Sequence, residues 1–167
     1  LMPKIYKHKY DDLIIGYDEK NKLSILSFNT GCVMLFEKKT FIKMGSFDEN
    51  YFLYFEETDF FTRCIKNNKK IYLYEKFSVK HDGSRSINLR YKDEYFIFRN
   101  WHYCWSKFYY YKKHKNYFIA LSKTFPNFKK SVFGMIKNLI LRKSLQFKLN
   151  NAEFMGLTRS YLTMKST

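Results

Sequence analysis

Long apolar runs are missing from this chain. Its uninterrupted hydrophobic stretches are only a handful of residues long, far short of the roughly 18 or more that a membrane-spanning helix needs. No signal-peptide pattern opens it. Cysteine is scarce and scattered: Cys32, Cys64 and Cys104 form no C-x-x-C pair. That excludes a disulfide scaffold or a cysteine zinc site and suits reduced thiols in a core. Internal repeats, Gly/Ser linkers and low-complexity runs are absent as well. The most telling absence is of acid, because residues 95–152 hold twelve Lys/Arg and no Asp or Glu.

What is present is ample core material. The 167 residues are 46% hydrophobic and 21% aromatic, the length and composition of one ordinary globular domain. The net charge of +16 is unevenly spread. Residues 1–94 carry 17 basic and 14 acidic side chains (+3), and residues 95–167 carry 14 basic ones against Glu153 alone (+13). So basic a second half calls for a polyanionic neighbour: anionic lipid, nucleic acid, or the pyrophosphate of a lipid-linked acceptor.

Turn residues and periodicity divide the chain. Gly16, Asp18 and Asn21 mark turns after the apolar Leu13-Ile14-Ile15. Lys22 to Phe36 alternates as a strand, a turn at Asn29-Thr30-Gly31, and a second strand from Cys32 to Phe36, followed by a short basic helix over 37–44 and a loop at Phe47-Asp48-Glu49. Gly31 permits close backbone approach or a positive φ. Phe60, Phe61, Cys64 and Ile65 have helical spacing, and Asn67-Asn68 ends that helix. A β-rich run, KIYLYEKFSVKH, then leads to His81 and a turn at Asp82-Gly83. Residues 88–115 form a long aromatic, basic helix with Tyr91, Tyr95, Phe98, His102, Trp105 and Tyr109 at spacings of three and four, whose rings pack on the α/β core. Past Pro126, residues 128–147 read as one amphipathic basic helix, with Val132, Phe133, Ile136, Leu139 and Ile140 opposite a lysine-rich face. This is the composition of an interfacial membrane segment.

The only dense acid cluster, Glu56, Glu57 and Asp59, opens the helix that carries Phe60 and Phe61. Unpaired N–H groups and the helix dipole favour negative charge at that position, and Asp59 is one turn from Arg63. Taken alone, such a cluster is the ordinary mark of a solvated helix start, and a lone histidine at a strand end is ordinarily a satisfied loop residue.

Four segments in order resemble the C-terminal half of the inverting, GT-A-type family 2 glycosyltransferases, above all the rhamnosyltransferase-like branch. NTGCVMLFEKKTF (residues 29–41) resembles the family's small-residue turn, strand and helix. GSFDENYFLYFEETDFFTRC resembles its "G-FDE-FF-YFED-D-R" signature, KHDGSRS its "H-x-G-S" element, and Arg99-Asn100 its "RN" helix start. The resemblance covers residues 1–115, and more loosely 152–156.

It implies an α/β fold: a partial GT-A-like mixed sheet with flanking helices over residues 1–115, its donor-binding half lying upstream, then a basic helical extension over 116–167. The parent enzyme is expected to transfer a sugar from a nucleotide-sugar donor to a glycan or lipid-linked acceptor in cell-surface polysaccharide synthesis, and the fragment alone to be inactive. Glu57 matches the second acid of the "ED" pair, where the family more often has aspartate, and is the expected base. Asp59 joins it in the catalytic segment with Glu56 in support. Gly31, Cys32, Glu56 and Arg63 are expected to line the substrate site, and His81 to ligate a divalent cation, Mg²⁺ or Mn²⁺. The expected location is cytoplasmic, peripheral on an anionic membrane surface at the inner face of the cell membrane.

Two other classes compete with this reading. A basic, aromatic nucleic-acid-binding module fits the pI near 9.7 and single-strand stacking. No RNP, KH or zinc-knuckle signature accompanies it, and the acidic cluster repels phosphate backbones, so no nucleic-acid partner is expected. A metal-dependent hydrolase would employ Glu57, Asp59 and His81 but lacks a second ligand set.

Overall fold

A computed structural model describes residues 13–27, 33–74, 76, 79 and 89–166. The chain is mixed α/β and mostly helical, a small antiparallel sheet followed by a bundle of three long helices. Contacts divide it into two compact units, one from residues 1–48 and 57–82, the other from 49–56 and 83–167.

The sheet unit begins with a hairpin, β1 (Ile14–Asp18) and β2 (Leu23–Leu26), and adds β3 (Ile71–Leu73) against the other edge of β2. Ile25 of β2 faces Gly16 of β1 and Tyr72 of β3, with an irregularity in β1 between Ile14 and Gly16. Asp18 closes the hairpin by accepting from the Asn21 backbone N–H and side-chain amide, each at 3.1 Å. The Tyr72 hydroxyl donates to it from β3 at 2.7 Å. That hydroxyl, then Asn21, holds the Asp18 carboxyl far below the usual carboxylate range. Three sequence expectations change here. Every described strand pairing is antiparallel where a mixed sheet was expected. Residues 33–36 are not a strand but lead into helix α1 (Lys38–Lys43). The strand after Asn68 ends at Leu73, well before Val79.

Helix α2 (Glu56–Lys66) supplies the core of this unit through Phe60, Phe61 and Cys64. Phe41 and Phe47 pack on Phe60 with ring centroids 5.1 and 5.6 Å apart, and Phe36 stacks on Phe41. Both helices end in the same way. The N–H two residues past the cap returns to a carbonyl inside the helix (Ser46 to Phe41, Lys69 to Cys64), and the residue between has positive φ, Gly45 at 84° and Asn68 at 57°. Glycine and asparagine adopt that conformation at least cost.

Asp59 is fully buried, and its Oδ2 accepts from Arg63 Nε at 2.8 Å. Arg63 also donates through Nη1 to the Met44 carbonyl and through Nη2 to the Ser46 carbonyl. One guanidinium therefore pins the turn after α1 to the face of α2.

In the other unit, α3 (Lys92–His114), α4 (Tyr117–Ile140) and α5 (Ser144–Tyr161) form an up-down-up bundle. Asn116 caps α4 by accepting from the Ile119 N–H. The helix runs through Pro126, where the sequence suggested a boundary; packing of Ala120 and Thr124 before it and Ser131 after it holds the two halves in line. The single helix expected over 128–147 is broken. Arg142 sits at φ 52° and the Lys143 N–H returns to the Asn138 carbonyl, so the chain reverses and α5 packs back on α3 and α4. Gly156 permits the closest approach, since a Cβ there would stand 2.4 Å from the Trp101 carbonyl oxygen. Within the bundle Asn138 donates to Asn150 at 2.9 Å and Asn100 donates to Glu153 at 3.3 Å. Cys104 lies buried, its thiol pushed up to about 12 chiefly by desolvation.

The rings of α3 find a partner that periodicity did not reveal. Residues 50–55 lie along this helix as a strap: Ser106 donates to the Leu53 carbonyl at 2.9 Å, Tyr51 meets Tyr109, Phe52 meets His102 and Phe98, and Phe55 meets Tyr103 and Tyr110. The Ser166 hydroxyl donates to the Asn50 carbonyl from the far end of the chain.

Two predictions concern these cores. Arg63→Met leaves the buried Asp59 carboxyl without its cation, and should lower unfolding free energy in urea titration by about 3–5 kcal/mol. His102 is buried among Phe52, Phe98 and Trp101, and desolvation lowers its pKa from the ordinary 6.5. The unfolded chain therefore takes up this proton first. His102 makes no pH-dependent difference to stability above 6.5, and stability falls as pH drops from 6.5 through the lower folded value. His102→Phe should flatten the melting temperature's pH dependence over that window.

Candidate functional site

Glu57 lies in the first turn of α2, where backbone N–H groups lack helical partners. Its side chain is half-buried. Carboxylate oxygen Oε2 is shielded from solvent yet has no hydrogen-bond partner among the described residues. Asp59, two residues on, is in the opposite condition, fully buried and committed to Arg63. The two acids expected in the catalytic segment thus differ in kind: one has an oxygen shielded and without a hydrogen bond, and the other is a carboxylate bound to arginine. Glu56 belongs to the bundle unit and is half-buried. Arg63, expected to line a substrate site, is occupied by Asp59 and two carbonyls, and its guanidinium lies 5.4 Å from the centre of the Phe60 ring.

Gly31, Cys32 and His81 lie outside the described residues, as do the Asn29-Thr30-Gly31 turn, Lys80 and Arg85. Among the described residues no group of three His, Cys, Asp or Glu side chains is assembled to hold a metal ion.

Two features escaped sequence reasoning. Tyr54 and Phe55, the last residues before α2, both have positive φ, 66° and 72°. Bulky aromatics rarely adopt this conformation, which costs roughly 1–2 kcal/mol per residue. No propensity signals it; ring packing of Tyr54 on Tyr103 and of Phe55 on Tyr103 and Tyr110 holds it. The second feature is the Tyr54 hydroxyl, which meets Tyr95 and Arg99 on α3 and is pushed up by burial against the pull of Arg99. The expected "RN" pair is divided in use, Arg99 toward Tyr54 and Asn100 toward Glu153.

The bundle also carries an open apolar groove of about 520 Å³ between α3 and α5, with Phe98, Trp101 and Met155 on its walls. No helix among the described residues is long and apolar enough to cross a membrane. No family model, curated protein or solved structure matches the chain.

A shielded carboxylate oxygen without a partner costs stability, whereas a carboxylate bound to a guanidinium is integral to its core. Glu57→Gln should therefore leave the melting temperature unchanged or raise it, and Asp59→Asn should lower it. A fall for Glu57→Gln as large as that for Asp59→Asn would make Glu57 a structural residue.

Proposed function

We propose that the chain is the acceptor-side part of an inverting, nucleotide-sugar-dependent glycosyltransferase of GT-A type, with Glu57 as the general base. The observation that carries this is the state of Glu57: a carboxylate in the first turn of a helix, one oxygen shielded and without a hydrogen bond, next to an acid already bound to arginine. A base must keep a lone pair free for the proton it will take, and a catalytic role is one physical account of a buried polar atom left without a partner. The ordered resemblance of residues 29–41, 45–64, 80–86 and 99–100 to family 2 enzymes points the same way.

In this mechanism an acceptor hydroxyl approaches Glu57, and the carboxylate removes its proton as the oxygen attacks the anomeric carbon. The bond from that carbon to the donor diphosphate breaks, the nucleoside diphosphate leaves with the electron pair, and configuration inverts. Asp59 and Arg63 act as positioning residues by fixing the first turns of α2 on the core. His81 is assigned to the divalent cation, Mg²⁺ or Mn²⁺, whose chemistry when bound is to stabilise the departing diphosphate. Donor recognition is assigned to an upstream half, so residues 1–167 alone should release no nucleotide above background from UDP-, dTDP- or GDP-sugars.

The test is Glu57→Gln in the chain joined to that upstream half. Turnover should fall by about 10²–10⁴-fold, with the donor KM nearly unchanged. Turnover within a few-fold of the unmodified enzyme would remove Glu57 from the role of base.

A further inference from the structure

We propose that the corner joining α4 to α5 is a docking surface for an anionic lipid bilayer, engaged tip-first by the helical hairpin. Five large apolar side chains within nine residues stand in solvent here: Phe133 is 70% exposed, Ile136 54%, Leu139 67%, Ile140 74% and Leu141 49%. They cover the last two turns of α4 and the reversal that follows. Exposed apolar patches of such density on an otherwise charged surface mark interaction sites.

Charge selects the occupant. Lys137, Arg142 and Lys143 are exposed within or beside the patch, Lys129 and Lys130 on the preceding turns and Lys148 on the following one. No acid intervenes anywhere from residue 95 to 152. Apolar side chains interleaved with cations, of which Lys130 alone faces an acid, Glu153, match the boundary of a bilayer, where acyl chains lie below a sheet of negative headgroups. A protein partner of matching acidity would answer the cations but would have to bury Lys137 within its apolar contact, at a desolvation cost that headgroups avoid by keeping it wet.

The fold changes the mode of binding expected from sequence. Residues 128–147 do not lie flat as one helix, because the Arg142 turn ends α4 after Ile140 and starts α5 at Ser144. Ile140 and Leu141 are at the apex, and Arg142 and Lys143 next to them confine insertion to the headgroup boundary. The surface belongs wholly to the bundle and stands independently of the role of Glu57.

The test is co-sedimentation of the 167-residue chain with phosphatidylcholine vesicles containing 0 to about half phosphatidylglycerol, at low and high salt, with circular dichroism and melting as fold controls. Binding should rise with phosphatidylglycerol and fall with salt. Leu139→Ser with Ile140→Asn should cut partitioning at least tenfold with the melting curve unchanged. Arg142→Gln with Lys143→Gln, which leaves the apolar side chains in place, provides a second arm. Each lost cation should cost about fivefold at low salt and less at high salt. The proposal is overturned by no sedimentation with anionic vesicles, by equal binding to neutral ones, by undiminished binding of both variants, or by lipid-free dimers of the unmodified chain that the apolar variant abolishes, which would make the corner a contact between copies. Tighter, variant-sensitive binding to a single-stranded oligonucleotide than to vesicles would likewise overturn it and give the surface to nucleic acid.

Discussion

The sheet unit depends on one guanidinium. A short sheet, a two-turn helix and an eleven-residue helix have few ways to fix the loop between them, and Arg63 does so by meeting a buried carboxylate and two carbonyls at once. A lysine could not, because its point charge lacks the planar fork that reaches three acceptors in different directions. Gly45 has positive φ beside this fork, and a side chain there would begin 3.3 Å from Arg63 Nη1. The first turn of α2, with Glu57 in it, inherits its orientation from that contact.

The bundle is organised differently, around the aromatic length of α3. Tilted and edge-on rings from the strap meet one side of the helix, while Tyr117 and Tyr161 close on Phe108. Several polar atoms admitted to this interior are matched in pairs, such as Asn138 with Asn150 and Trp105 Nε1 with the Met164 carbonyl, whereas His102 Nδ1 and Thr158 Oγ1 are buried without a hydrogen-bond partner among the described residues. Such matching limits how far the helices can slide past one another, because a shift in register would strand several buried groups at once.

Legibility in the sequence followed the range of the interaction. Asn21 marked the turn between β1 and β2, although Gly16 and Asp18, read with it as turn residues, lie within β1; Asn67-Asn68 announced the end of α2 and the Tyr95 to Tyr109 periodicity the helix α3, because each is a local matter of turn chemistry or spacing. The reversal at Arg142 was hidden. Arginine has no preference for positive φ, and the turn forms because α5 gains its packing only by coming back. The strap was hidden for the same reason, since YFLYF reads as strand or loop until α3 is present to receive it. For the candidate site, the acidic opening of α2 and the Asp59–Arg63 spacing were readable. The unpartnered oxygen of Glu57 and the further bonds of Arg63 to Met44 and Ser46 depend on residues far away in sequence.

Each unit happens to hold its own buried thiol, Cys64 against Phe60 and Phe61 and Cys104 inside the bundle. Burial keeps both protonated and unreactive. Neither meets an alkylating reagent while its unit is closed, so the rate at which each is modified counts the openings of that unit alone. The two peptides, followed by mass in a single time course, form a pair of internal clocks. Rates that diverge would show the sheet and the bundle breathing separately, and rates that move together would show one cooperative event.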